Sequence, residues 1–353
     1  MTTTLGGPRK GTEGRWRARR LLRALVAFYA LALAAALLLL YPFGDHFWMS
    51  TLLLLGPRGV LALPLPVLAA AGAALDRQRL WLLAVLGLVL VGPVLGFRVP
   101  LRLPPFPRPD PRDIRVMSYN IGGGEFDRSA FESVLEEALP DVVALQECSG
   151  DLLKDLKGWQ LDMQYDSCLL SRFPIVRVVA RDPSADVWKM GGRGVIVRYE
   201  LATPSGPVHL VNLHLVTARE GLEDLRRNAA SGIPTLEAKN AQREIEARLA
   251  QQWVKECPGP ARLVTGDFNM PVESDVYRTY WAEYQNAFSV AGFGFGFTKH
   301  TRFIRVRIDH ILASPGWLCV RAWVGPWLDF DHRPIIAILR WQGSGGGSHM
   351  PTP

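Results

Sequence analysis

From Leu21 to Tyr41 the chain is apolar for about 20 residues, broken only by Arg23 near its start, a length that crosses a hydrocarbon core of roughly 30 Å. Two further runs follow, Val60 to Leu75 and Leu80 to Phe97, separated by the polar turn Asp76, Arg77, Gln78 and Arg79. Nothing else limits the possible folds so strongly, because in lipid every backbone polar group must be satisfied within its own segment, which makes these runs helices. Pro64, Pro66 and Pro93 kink helices, and membrane helices tolerate such kinks. The stretch Phe47 to Leu55 either extends the second span or lies in the interface. The expectation is about three transmembrane helices over residues 21–97, with two as the alternative. A cleaved leader is disfavoured, since its apolar part is shorter (about 7–15 residues), no small-residue cleavage site follows, and more spans come next.

Charge divides the chain at the same place. Residues 1–109 hold 13 Lys and Arg against 3 Asp and Glu, whereas residues 110–353 hold 27 against 30. The formal +7 therefore hides a basic front and a mildly acidic remainder, so the basic pI is no argument for nucleic acid. Residues 1–20 read as a basic cytoplasmic tail, and Arg77 with Arg79 lies in the second loop. The positive-inside tendency puts both in the cytoplasm. Three crossings then leave everything after Phe97 outside, in a periplasmic or extracellular space; Arg58, Arg98, Arg102 and Arg108 run against that count. All four cysteines, Cys148, Cys168, Cys257 and Cys319, fall after the spans. An exported domain keeps disulfides, but three pairings are open, and so is a set of unpaired core thiols.

Residues 98–113 carry six prolines and read as a stiff, extended linker. Beyond them, short Val/Ile/Leu-rich stretches predict strands at 114–121, 141–147, 167–176, 193–201, 208–216, 261–269, 307–314 and 333–341. Helical periodicity marks 128–138 and, more strongly, 235–255. Strands and helices thus alternate over residues 114–342, long enough for one sizeable α/β or α+β core. Residues 343–353 read as a flexible tail outside the fold.

Polar residues interrupt these strands at their ends: Asn120, Glu147, Asn212 with His214, Asp267 with Asn269, Asp309, and Asp331 with His332. One such residue is ordinarily a hydrogen-bonded core or turn residue. Six interruptions are different, because an unpaired buried charge costs several kcal/mol, and convergence on one site accounts for all of them. Carboxylates and amides without a thiolate suit a hard cation such as Mg²⁺ or Mn²⁺, and two histidines beside them serve as acid, base or phosphate donors. No G-x-S-x-G elbow, P-loop or dinucleotide-binding glycine pattern is present. Metal-assisted hydrolysis of a phosphoester is the chemistry this inventory supports.

The motifs MSYNI, LQE, NLHL, GDFN, RIDHI and DHRPI, in this order, make residues 114–341 resemble the endonuclease/exonuclease/phosphatase superfamily. That resemblance implies a four-layered αββα sandwich of two mixed sheets with the site at one end. It implies Glu147 as the principal metal ligand, Asn120 next to metal and phosphate, and Asp331 as a further metal contact. Asp267 would align or deprotonate the attacking water and Asn269 would orient the phosphate. His332, held by Asp309, would donate to a phosphoryl oxygen. Asn212 and His214 match the N-x-H of the deoxyribonuclease, sphingomyelinase and phosphatase branches, with His214 as donor to the leaving group. Arg193 resembles a phosphate-contacting arginine, and Arg307 ends the basic stretch Lys299, Arg302, Arg305, Arg307, which suits a polyanionic head group. Where some relatives carry a second acidic group, two residues after Asn120, this chain has Gly122, so one metal site is expected and a second is not supported.

Three functions fit unequally. The spans favour a membrane-tethered hydrolase of a phosphorylated lipid or other envelope phosphoester, a polyprenyl pyrophosphate included. An anchored nuclease acting on DNA or RNA is the alternative, opposed by the overall charge. A scaffold without catalysis is disfavoured by the full set of site residues. The partners expected are the bilayer and the substrate, with no obligate protein partner.

Overall fold

The computed structural model describes residues 10–100, 109–123, 127–149, 153–180, 194–302, 304–328 and 330–343. Arg193, half of the proline-rich linker and the tail after Gly343 lie outside them. The first helix, α1 (Lys10–Leu38), starts within the segment expected as a basic tail, so its cationic residues form the first turns of the helix that carries the apolar run. Helices α2 (Trp48–Leu55), α3 (Pro64–Leu75) and α4 (Leu80–Val89) follow. Three helical stretches, Glu13–His46, Arg58–Leu75 and Arg77–Val94, are long and apolar enough to cross a membrane. Arg19 donates to the Leu75 carbonyl and Arg23 pairs with Asp76 at 3.0 Å, so the start of the first stretch lies beside the turn joining the other two. Their opposite ends, at His46, Arg58 and Gly96, lie against the rest of the molecule.

The remaining elements are β1 (Asp113–Asn120), α5 (Arg128–Ala138), β2 (Val142–Gln146), β3 (Gln160–Gln164), β4 (Ser167–Ser171), β5 (Ile175–Ala180), β6 (Val195–Thr203), β7 (Gly206–His214), α6 (Arg219–Arg227), α7 (Ala229–Lys255), β8 (Arg262–Asp267), α8 (Asp275–Trp281), β9 (Gln285–Asn286), α9 (Ala287–Ala291), β10 (Lys299–His300), β11 (Arg305–Val306), β12 (Asp309–Ala313), β13 (Trp317–Val324) and β14 (Ile335–Trp341). They form two six-stranded sheets, ordered β13-β14-β1-β2-β4-β3 and β5-β6-β7-β8-β12-β9. Both are mixed: β1 runs parallel to β2 and antiparallel to β14, and β7 runs parallel to β8 and antiparallel to β6.

Alternate residues of the strands face the other sheet. Val116, Ala144, Leu169 and Ala337 of the first sheet meet Val197, Leu210, Leu263 and Ile311 of the second in one buried cluster. On the outer faces, Phe131, Val134 and Leu135 of α5 cover Met117, Val143 and Leu170, and Ala247 and Val254 of α7 with Trp281 of α8 cover Val211, Leu213 and Val264. The layers are helix, sheet, sheet, helix, as the resemblance implied.

The stretch expected as one strand at 167–176 is instead two. Pro174 stands between β4 and β5, and because proline cannot donate to a ladder the chain leaves the first sheet there and enters the second. Cys148 and Cys168 form a disulfide, and Cys257 and Cys319 are buried free thiols.

Candidate active site

The parallel strands β1 and β2, and likewise β7 and β8, end at one edge of the sandwich, and their antiparallel neighbours β14 and β12 begin there. That geometry gathers residues up to 212 positions apart in sequence, from Asn120 and Glu147 to Asp309 and His332. Asp267 faces both His214 and Asp309 across its two ladders.

Two departures from regular strand geometry aim the side chains. Gly266 has φ +139°, and a Cβ there would lie 1.9 Å from the Leu213 carbonyl oxygen, so only glycine lets β8 run this close to β7 just before Asp267. Asn269, at φ +51°, turns the chain back; its amide N–H donates to Asp267 Oδ1 at 2.8 Å and its side chain donates to the Leu215 carbonyl at 2.8 Å. Phe268, between them, packs on Trp281, Tyr277 and His310 in the core. Glu147 also adopts a left-handed conformation, φ +51°, directly after β2, and the next residue is pinned to β4 by the disulfide.

The centre is compact. The Asn120 side-chain amide donates to Glu147 Oε1 at 3.0 Å and to Asp267 Oδ2 at 3.1 Å, while its carbonyl oxygen accepts from Gly122 N at 2.9 Å. His214 Nε2 lies 3.8 Å from Glu147 Oε1 and 3.9 Å from Asp267 Oδ2. His332 Nδ1 lies 3.0 Å from Asp309 Oδ2, and its Nε2 lies 3.6 Å from Asp267 Oδ2. Burial pushes the Asp267 carboxyl up, as does Asp309, against the opposing charges of His332 and His214. Burial also acts to raise Asp309, but the His332 charge and hydrogen bond outweigh it and hold this carboxyl low. Burial disfavours the His332 cation, yet Asp309 and Asp267 together lift it to about 9. The result is two carboxylates of opposite tendency flanking an imidazolium, a common basis for dividing base and donor roles.

Glu147 and Asp267 bring carboxylate oxygens to one amide nitrogen, with His214 near both, a hard-oxygen set that fits a divalent cation. Asp267, Asp309 and His332 also offer ligand atoms within 4.8 Å of one another. The hydrogen bonds of His332 to Asp309 hold that second group as a dyad, while Glu147 and Asn120 remain outside it.

Three expected site residues are placed differently. Asn212 is fully buried two residues before His214, and its amide is satisfied across the sandwich by the Leu145 carbonyl, the Ser167 hydroxyl and the Gln146 side chain; it joins the sheets and does not reach the centre. Arg307 is buried with its guanidinium over the Phe288 ring and bonded to Ser289, away from the centre. Asp331 is paired with Lys299 Nζ at 2.5 Å, and its other carboxylate oxygen lies 4.0 Å from His332 Nε2.

Lys299, which the strand pattern does not single out, also joins the centre: its Nζ lies 2.9 Å from His332 Nε2. The basic stretch it opens was visible in sequence; its approach to His332 depends on the short β10–β11 hairpin and an isolated bridge between Lys299 and His332. Gly122, at φ +71°, faces Phe330, whose ring would stand 2.4 Å from a Cβ there. The Phe330 ring thus fills the space that a side chain at position 122 would need.

The profile of the Endonuclease/Exonuclease/phosphatase family matches residues 117–344. Among solved structures, an endonuclease/exonuclease/phosphatase from Beutenbergia cavernae superposes with a TM-score of 0.51 at 18% identity, covering 66% of this chain and 72% of that one. A family protein from Bacteroides thetaiotaomicron gives a TM-score of 0.51 at 18% identity, covering 65% of this chain and 98% of its own. A comparison with curated proteins gives no match.

Proposed function

We propose, from the premise that this chain belongs to the endonuclease/exonuclease/phosphatase family and is a metal-dependent phosphoester hydrolase, that it acts on a phosphorylated lipid or another envelope phosphoester while held in the membrane. The observation that carries this reading is the continuity between the apolar helices and the catalytic end of the sandwich. One apolar cluster runs from Leu22, Leu40, Leu86 and Val94 of the helices to Ala218, Leu236, Val306 and Ile308, which belong to the segments after His214 and before Asp309. A site built on those segments opens beside the bilayer surface, where a lipid head group is presented.

The same packing supports the orientation. The basic start of the first helix and the Arg77–Arg79 turn lie at the end of the helical region remote from the sandwich, so the positive-inside tendency puts the sandwich outside the cytoplasm. The Cys148–Cys168 disulfide suits an oxidising compartment.

Bound Mg²⁺ or Mn²⁺, held by Glu147 with Asn120 alongside, would neutralise charge on the phosphoryl group. Asp267, with its raised proton affinity, accepts the proton of the attacking water and is oriented by the Asn269 N–H. His332, held by Asp309, donates to a phosphoryl oxygen, and His214 lies on the opposite side of Asp267 to protonate the leaving oxygen. Arg193, outside the described residues, is a further candidate phosphate contact.

Phosphate release from phosphatidic acid or a polyprenyl phosphate by the full chain in detergent with Mg²⁺ tests the reading. Glu147→Ala should reduce the rate by at least about 10³-fold, in line with loss of several kcal/mol of transition-state stabilisation. Undiminished activity in that variant, or steep salt-dependent hydrolysis of DNA or RNA with no lipid turnover, would overturn it.

A further inference from the structure

The third apolar stretch ends at Val94, but the apolar surface it starts continues onto the sandwich. Phe97 stays fastened to that stretch, its N–H donating to the Val91 carbonyl at 3.0 Å. Its ring meets Phe293 edge-on with centroids 5.4 Å apart and Phe295 with centroids 5.0 Å apart, and Phe295 lies flat on Phe297, centroids 5.2 Å and planes 3° apart. These rings belong to the segment between α9 and β10 in which glycine and phenylalanine alternate from Gly292 to Phe297. Phe293 is 71% exposed, and Val99, just past Phe97, is 49% exposed. One exposed apolar side chain is ordinary on a protein surface; a contiguous aromatic group beginning where a span ends marks an interaction surface.

The segment holds its rings in place. Arg98 and Gly294 exchange both backbone hydrogen bonds, at 2.8 and 2.9 Å, which fastens the loop to the chain leaving the third stretch. Gly294 and Gly296 have φ of +98° and +65°, and a Cβ on Gly292 or Gly296 would run into the buried Phe288 ring. The next residue, Thr298, is buried. Its hydroxyl accepts from the N–H groups of Ile308 and Asp309 at 3.2 Å each, and its carbonyl accepts from the Arg333 N–H at 2.7 Å. The aromatic loop thus ends one residue before a clamp on Asp309 and on the residue that follows His332.

We infer that the Gly292–Phe297 segment is a second membrane contact of the catalytic domain, with the Phe293 ring seated in the interfacial layer of the bilayer. The inference rests on the reading that the apolar helices span the membrane. Lipid is the partner because the patch is continuous with the third stretch, whose Trp81, Val85 and Leu88 are exposed along its length. Phe293 stands one ring contact from Phe97, level with the point where the span meets the head groups, and aromatic side chains favour that layer. Elements lying there sink their apolar faces about 5–10 Å into the head-group boundary, a depth within reach of a phenylalanine beside the helix exit. Seated in this way, the loop and Thr298 hold the Asp309–His332 dyad at a fixed height above the head groups.

Depth-dependent fluorescence quenching of the reconstituted full chain tests the contact. Cys257 and Cys319 are buried and Cys148 is bonded to Cys168, so a bimane reagent reaches a thiol introduced at the surface. Phe293→Cys, Leu88→Cys and Leu139→Cys each replace a mainly exposed side chain and leave the core intact. Leu88 reports the span, and Leu139, between α5 and the start of β2, lies at the end of the sandwich away from the catalytic edge. The labelled variants are placed in phosphatidylcholine–phosphatidylglycerol vesicles containing phosphatidylcholine with a nitroxide either near the head group or near the end of an acyl chain. The label on Phe293→Cys should be quenched at least about twofold more by the shallow nitroxide than by the deep one, that on Leu88→Cys the reverse, and that on Leu139→Cys by neither. Quenching on Leu88→Cys with none on Phe293→Cys, or as much on Leu139→Cys as on Phe293→Cys, overturns the loop contact and leaves the span. Quenching on neither Leu88→Cys nor Phe293→Cys overturns both. Shallow quenching on Phe293→Cys without any on Leu88→Cys overturns the span alone and leaves the loop as a peripheral contact.

Discussion

His332 concentrates the chemistry of the site in one residue. Its proton affinity is raised to about 9 despite burial, because Asp309 and Asp267 stabilise the cation. A group whose folded value lies above the ordinary 6.5 contributes stability that is complete below that value and lost as pH rises through about 9. The donor form is lost over the same interval, so kcat/KM should fall on the alkaline side with an apparent pKa near 9. Asp309→Asn removes the largest of the raising influences and should move that limb toward neutrality, with a rate loss of roughly 10²–10⁴ typical of a displaced acid or base. A pH–rate profile of both proteins reads this, and an unmoved limb would dissociate His332 from it. The site residues themselves were largely legible, because charged and amide groups at the ends of apolar strands are costly to bury unless they meet one another around a shared ligand. Asn212 and Arg307 were not correctly placed, since a satisfied buried amide and a guanidinium stacked on Phe288 leave the same letters in the sequence as reactive ones. Lys299 was legible only as a basic residue in a charged stretch.

At the scale of elements, the longest helix of the sandwich holds the catalytic strand ends through one carboxyl. Glu246 of α7 accepts from the Val216 N–H at 2.6 Å and so fixes the chain just after His214. Burial raises its pKa to about 7, offset in part by backbone N–H donors and Lys239. Because the folded value lies above the ordinary 4.5, stability should be greatest below pH 4.5 as far as this group is concerned, and decline as pH rises through 7. The total is on the order of 3 kcal/mol. Glu246→Gln keeps an acceptor and removes the charge, so its unfolding midpoint should depend less on pH between about 5 and 8 than that of wild type. Parallel curves for the two would show that Glu246 does not titrate in this range. Strands β1, β2, β6, β7, β8, β12 and β14 were all recognisable, because each is largely buried on both faces and reads as a nearly continuous apolar run. The split of 167–176 depends on which sheet each half joins, and the two-residue strands β9, β10 and β11 are too short to show a period. The exposed edge strand β3 lacks the apolar face that would mark it.

For the whole molecule, the apolar helices are bonded into the catalytic unit. Asp45, at the end of the first long helical stretch, is buried and pairs with Arg243 of α7 at 2.8 Å; Arg243 is 1% exposed. Arg243 also donates to the Asn240 side chain at 2.7 Å and, through its other terminal nitrogen, to the Asn269 carbonyl at 3.1 Å, two residues beyond Asp267. Nearby, Arg58 meets Glu273 at 3.3 Å in a second shielded pair, which gives a structural reason for an arginine that runs against the positive-inside count of the sequence. None of this was legible, because the sequence showed apolar runs ending and a soluble domain beginning, with the partners 198 residues apart. Breaking one partner of a buried pair leaves an uncompensated charge and costs about 3–5 kcal/mol, whereas replacing both by apolar groups is often nearly neutral. Asp45→Asn should therefore lower the thermal midpoint of the full chain by roughly 5–15 °C and reduce kcat at temperatures where it remains folded, as the Asn269 turn loosens. Asp45→Leu with Arg243→Met should recover most of the midpoint but not of kcat, because it restores packing without the bond to Asn269. A single variant as stable and active as wild type would separate the helices from the catalytic unit. By the same physics, a fragment beginning at residue 98 should unfold more readily than the full chain and gain stability from Arg243→Met, which denaturation of the two fragments in parallel would reveal.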